Sequence, residues 1–126
     1  MSDSSSKRKG LGDWGEKRAA AYLERRGYRI FASKYRCQWG EVDLVAEQDG
    51  CIVFVEVRTR RGGSFGTPAE SVTPQKQKRL IATAETYLQG LVEPPQDWRI
   101  DVITITFAND RSRPHLEHLK NAVERS

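Results

Sequence analysis

The sequence predicts a single α/β domain whose elements follow in the order α-β-β-β-α-β. Three observations carry this reading. Two strand-like runs meet at Asp49-Gly50; Leu80, Ile81, Ala84, Tyr87 and Leu88 recur at helical spacing behind Thr73-Pro74; and Trp98 to Phe107 alternates once more. A chain of 126 residues can bury one core and is too short for two ordinary domains. With 30% charged and 37% hydrophobic residues, that core is modest and the surface well solvated. The formal charge of +4 is compatible with a polyanionic partner without requiring one. No apolar run approaches a membrane span, and the N-terminus lacks the apolar segment of a secretory signal. Cys37 and Cys51 form no CxxC pair, which points to buried or free thiols in a reducing compartment. A cytoplasmic protein is expected.

Residues 1–12, with Ser4-Ser5-Ser6 and Lys7-Arg8-Lys9, hold too little apolar content to fold alone and read as a disordered basic tail. Asp13 followed by Glu16 has the pattern of an N-cap and capping box, opening a basic helix that passes through Ala19 and Leu23 and stops at Gly27. Capping alone accounts for Glu16. Tyr28 to Cys37 alternates loosely and makes the first strand, which turns at Gln38-Trp39-Gly40.

In the hairpin that follows, Val42, Leu44 and Ala46 alternate with Glu41, Asp43 and Val45, and Ile52 to Val57 is rich in β-branched residues. Asp-Gly between such runs favours a two-residue type I′ turn, which needs positive φ at both positions. That turn sets Gln48 opposite Cys51, and therefore Asp43 opposite Glu56 and Glu41 opposite Arg58. Glu56 and Arg58 then share one face while Val53, Val55 and Val57 take the other.

After the hairpin, Arg60 and Arg61 lead into Gly62-Gly63-Ser64-Phe65-Gly66-Thr67-Pro68, a basic, glycine-rich loop placed to close over a substrate. Thr73 is an N-cap with proline at the first helical position. Gln75, Lys76, Lys78 and Arg79 crowd the first turns of this second helix, which Gly90 ends. They suit a phosphate contact at a helix N-terminus, or equally an ordinary polar face. In the last strand Asp101 sits among apolar neighbours, the position of a buried, paired carboxylate. The folded domain is expected over residues 13–108 and a polar extension over 109–126. His115 and His118, spaced as HxxH in that extension, are a weak metal signal and read as surface residues.

Two carboxylates opposed across a sheet repel and destabilise it. Asp43 against Glu56 in the middle of an apolar hairpin therefore argues for a cation, and a hard one such as Mg²⁺ takes oxygen ligands of this kind. The alternative is a solvated polar face, with Glu41 and Arg58 a surface pair worth little. Register decides, because a loop one residue longer would send the two acids to opposite faces.

Gly15-Glu16, the run Gly40-Glu41-Val42-Asp43-Leu44-Val45, the run Phe54-Val55-Glu56-Val57-Arg58-Thr59-Arg60 and the segment Pro74 to Arg79 together resemble the YraN-like bacterial family. Its members are predicted endonucleases, similar to archaeal Holliday-junction resolvases within the PD-(D/E)xK, restriction-endonuclease-like superfamily. The resemblance covers Gly12 to Phe107 and implies a mixed central sheet flanked by helices. It implies Asp43 as the metal-binding aspartate, Glu56 as the acid of the second motif and Arg58 where that motif has lysine. Glu16 matches a first-helix glutamate, and Gln75 a polar residue of the following helix. Asp43, Glu56 and the Val57 carbonyl would hold one or two Mg²⁺ (or Mn²⁺) ions. Arg60, Arg61, Lys76, Lys78 and Arg79 would lie along nucleic acid, with DNA, branched DNA included, the expected substrate and a homodimer the expected assembly.

The departure at Arg58 bears on activity. A guanidinium keeps its charge, so Arg58 cannot act as a general base, although it can grip a phosphate with two bonds. A catalytically silent module that binds nucleic acid or protein on the same fold is the competing reading, and a structural protein with a polar sheet face is the third.

Overall fold

The structure, a computed structural model, describes residues 3–61, 72–107 and 113–124. In chain order these form α1 (Asp3–Arg25), β1 (Arg29–Cys37), β2 (Gly40–Gln48), β3 (Cys51–Arg61), α2 (Pro74–Gln89), β4 (Asp97–Phe107) and β5 (His115–Leu119). The central hairpin forms with the turn that its sequence requires. Asp49 and Gly50 take φ of 52° and 81°, and the ladder runs from Gln48↔Cys51 to Leu44↔Val55.

The five strands lie in the order β1-β2-β3-β4-β5. Three neighbouring pairs are antiparallel, whereas β3 and β4 are parallel and joined through α2, as parallel neighbours require. The result is a mixed sheet with a helix on each face, consistent with a restriction-endonuclease-like fold. Val53 and Val55 point with Leu44, Ile103 and Ile105 toward Ala19 and Leu23 of α1. Ile52 and Phe54 point the other way, with Val45, Ile100 and Val102, onto Leu80 and Ala84 of α2. Phe54 presents its ring to Tyr87 and Trp98 edge-on, at 5.6 and 5.8 Å. Burial of such a side chain contributes about 2–3 kcal/mol. No helix among the described residues is long and apolar enough to cross a membrane.

Gly27 ends α1 as its sequence suggests. Its N–H bonds the Glu24 carbonyl at 3.1 Å and the Tyr28 N–H bonds the Leu23 carbonyl at 3.0 Å. The other end of α1 differs from expectation. The helix begins at Asp3, so most of the stretch read as a disordered tail has helical backbone, and Asp13 lies inside the helix rather than capping it. The Asp13 carboxylate instead takes the Lys34 ammonium of β1, and Trp14 packs edge-on against Phe107 at 5.4 Å. These tertiary contacts outweigh a local cap, which is worth about 1 kcal/mol.

The C-terminal segment also differs, because the span read as a polar extension contributes β5. This strand pairs with β4 from Val102↔Leu119 to Thr106↔His115, and Val123 beyond it is buried against the α2-side core. His115 is exposed, as expected. His118 is not a surface residue: its imidazole is buried against Asp101. Asp101 is the buried, paired carboxylate that its neighbours suggested. One oxygen accepts from Arg99 Nε at 3.0 Å and from the Asn121 N–H at 2.8 Å, and the other meets His118 Nε2 at 2.7 Å. Burial pushes this carboxyl up, but the bonds from His118, the Asn121 amide and Arg99 outweigh it and hold Asp101 below its usual value. The glycine-rich loop expected after Arg61 lies outside the described residues.

Candidate metal and phosphate site

The site arises where the central hairpin stops being a hairpin. The β2–β3 ladder is regular as far as Leu44↔Val55. Beyond it β2 stays on β1, with Val42 opposite Tyr35 and Glu41 opposite Arg36. The Val57 N–H, which has no ladder acceptor there, donates instead to Asp43 Oδ2 at 2.7 Å. A buried amide has to find an acceptor, and the aspartate supplies it. Parting of the strands also redirects Glu41. Its carboxylate meets Arg36 Nε at 2.6 Å across β1, not Arg58 as the extended register had suggested.

Asp43 and Glu56 are brought together as predicted. Glu56 follows Ile52 and Phe54 on the α2 face and is only 4% exposed. Burial, and after it the Glu56 carboxylate, push Asp43 up to about 7, against the Val57 amide, which pulls it down. Arg58 shares the face, with Nε 3.4 Å from Glu56 Oε2. That buried nitrogen makes no hydrogen bond, so the guanidinium is held near the acid without being aligned on it.

Lys76 is the residue whose position the sequence did not disclose. It was grouped with Lys78 and Arg79 as a nucleic-acid contact, but its Nζ lies 3.5 Å from the same Glu56 oxygen. Thr73 caps α2 by accepting from the Lys76 N–H at 3.2 Å, and Pro74 occupies the first turn. The cap fixes where the helix starts, and packing of Leu80 and Ala84 on the sheet aims that start at Glu56. Gln75, Lys78 and Arg79 are exposed on the same turns. Arg60 and Arg61 close β3, with Arg61 lying over the Phe107 ring at 5.5 Å.

Glu16 stands apart from this pair. It lines a pocket of about 460 Å³ between α1 and β1, with its carboxylate 3.9 Å from Lys34 Nζ. Burial is the main cause that raises Glu16 above its ordinary value. Its charge also reaches Asp43 and adds to the rise there. Lys34, another residue that the sequence did not single out, holds a left-handed backbone with φ 54° between Ser33↔Leu44 and Tyr35↔Val42.

A divalent metal fits this donor set. Among the described residues no three His, Cys, Asp or Glu side chains gather to hold an ion, and the described donors here are the two carboxylates of Asp43 and Glu56. Mg²⁺ is commonly bound by one or two carboxylates with water and substrate completing the shell. N–H and C=O of one strand residue leave by the same edge, so the Val57 carbonyl also faces the side on which Asp43 lies. Burial is the larger cause of the rise of Asp43, and the Glu56 carboxylate adds a repulsion that a cation would relieve.

Comparison with known proteins places the chain within a family. Residues 15–105 match the family described as "Uncharacterised protein family UPF0102". A UPF0102 protein of Roseiflexus castenholzii is 50% identical over 115 residues, covering 90% of this chain and 93% of the relative. Relatives from Herpetosiphon aurantiacus and Geobacter metallireducens are 46% and 43% identical over 117 and 116 residues. Coverage is 90% and 92% of this chain, and 93% of each relative.

Proposed function

We propose that this chain, which belongs to the UPF0102 family, is a metal-dependent endonuclease that hydrolyses phosphodiester bonds in DNA. The observation that carries the reading is the Asp43–Glu56 pair, a half-buried acid beside a buried one at the point where β2 and β3 part, flanked by two cations. Mg²⁺ or Mn²⁺, when bound, would lower the pKa of a coordinated water and neutralise charge on the phosphate. The protein's own part is to place the groups. Asp43, held by the Val57 amide, and Glu56, held between β3 and α2, would be the ligands together with the Val57 carbonyl.

Arg58 and Lys76 both lean on Glu56 Oε2 and would turn to phosphate oxygens when a metal takes that oxygen. Arg58 keeps its charge throughout, so its contribution is to grip the scissile phosphate and stabilise charge in the transition state. Glu16 acts on the pair through its field, and Arg60, Arg61, Gln75, Lys78 and Arg79 lie where a backbone would run on either side. Branched DNA, cut symmetrically by a homodimer, is the substrate that would use two such sites.

The test is incubation with labelled linear, flapped and four-way-junction DNA in Mg²⁺ or Mn²⁺, beside a Glu56→Ala protein prepared identically. Cleavage by the wild type that the variant lacks supports the nuclease. One observation favours a second reading. Arg58 and Lys76 already neutralise Glu56 without a metal, as suits a silent nucleic-acid-binding module. Salt-sensitive DNA binding that needs no metal, with no cleavage of any substrate, would select that reading.

A further inference from the structure

Three large hydrophobic side chains are exposed among the described residues, and Trp39 is the one that shares a pocket with a basic residue of α2. It sits in the β1–β2 turn and is 51% exposed. The turn does not need it. Gly40, at φ 148°, takes the conformation that favours glycine and makes the turn beside α2. Trp39 opens onto a pocket of about 550 Å³ that Arg36, Gln38 and Arg79 also line. Glu41 lines it too, but is paired with Arg36, which leaves Arg79 as the excess positive charge there.

Arg79 follows Lys76 by three residues, so the two project from neighbouring positions on one side of α2. Lys76 meets Glu56, and Arg79 meets the Trp39 pocket. Their separation along the helix is about 4.5 Å at 1.5 Å per residue.

We propose that Trp39 and Arg79 form a receptor for one unpaired nucleobase and its adjoining phosphate, one turn of α2 beyond the lysine that meets the acid pair. This rests on the nucleic-acid reading of the site and adds a substrate feature to it: a single-stranded segment beside the cleaved bond. A flat aromatic face accepts any base by stacking, and Arg79 holds the phosphate by charge, so the receptor recognises strandedness and not sequence. Bases stacked inside a duplex cannot reach Trp39 in this way.

Binding is measured in EDTA, where no cleavage occurs, by fluorescence anisotropy. The probes are a labelled oligothymidylate, the same strand with abasic residues, and a blunt duplex. Trp39→Ala is expected to lose about tenfold or more in affinity for oligothymidylate, and Trp39→Phe to stay within about threefold of the wild type. The wild type on the abasic strand should bind as weakly as Trp39→Ala does on the intact strand, and the variant should lose nothing further there. Arg79→Ala should weaken both strands alike.

Retained oligothymidylate affinity in Trp39→Ala, or an equal loss on intact and abasic strands, overturns the receptor and leaves the nuclease reading standing. No binding of the wild type to any probe in EDTA overturns the receptor, while the metal-dependent DNA reading is judged separately by the cleavage assay. Self-association lost in Trp39→Ala while DNA affinity is kept would assign the patch to a second copy of the chain and also overturn the receptor. Circular dichroism of each variant confirms that the fold is kept.

Discussion

Asp43 and Asp101 are aspartates of the same sheet, on β2 and β4, the first half-buried and the second fully buried, and their surroundings pull them in opposite directions. Asp101 has every neighbour a buried carboxylate needs: the Arg99 guanidinium, the Asn121 amide and His118, which in turn reaches Tyr22 at 3.1 Å. Arg99 extends the network to the Tyr28 hydroxyl at 2.8 Å. Asp43 has one amide and faces a second carboxylate. The first cluster joins β4, β5 and α1 and is complete. In the second, two cations lean on Glu56 alone and Asp43 is left facing its carboxylate with a single amide, and carboxylates perturbed in this way mark sites where ligands bind.

Removing each acid sharpens the contrast. Asp101→Ala leaves the half-buried Arg99 without its counter-charge and the His118 ring and Asn121 amide without their partner, and should cost about 3–5 kcal/mol, read by urea denaturation. Asp43→Asn removes repulsion instead, so in EDTA at pH 8 the variant should unfold at a higher temperature than the wild type. Equal destabilisation by the two substitutions would erase the distinction. In cleavage assays the order reverses. Asp43→Asn should lower the rate by about a hundredfold or more, as loss of roughly 3 kcal/mol of charge stabilisation implies, whereas Asp101→Asn should act only through stability.

The two acids also predict opposite pH dependence. Asp43 is raised on folding, so the folded state binds the extra proton, and its contribution to stability is lost as pH climbs from its ordinary value of 3.8 to about 7. Asp101 is lowered, so its contribution is present above the unfolded value and lost as pH falls through the folded one. A divalent cation competes with the Asp43 proton. The rise in melting temperature on adding Mg²⁺ should therefore be larger at pH 8 than at pH 5.5, and a pH-independent rise would place the ion elsewhere. The smallest effect is expected at the rim. Lys78→Ala should weaken DNA binding a few-fold on every sequence and reduce the salt slope by about one.

What could be read from the chain follows the range of the forces concerned. The Asp49-Gly50 turn is local, and it carries the register that brings Asp43 to Glu56 and puts Arg58 on the same face. Thr73-Pro74 and Gly27 likewise act within one turn of their helices. Asp13-Glu16 has an equally good local signature, yet Lys34 claims the aspartate from another element. Glu41 shows the limit of extrapolation: the alternation is unbroken in sequence, but β2 leaves β3 and the partner changes.

The sequence by itself determined the α/β class, the hairpin and the pairing of two acids within it, because turn geometry and side-chain alternation act over neighbouring residues. Only the tertiary structure decided that Lys76 from α2 meets Glu56, that Glu16 stands beside Lys34, and that His118 from a short fifth strand closes on Asp101. Those contacts join residues from separate elements, and their partners are chosen by how two helices and a sheet edge pack, which no local pattern encodes.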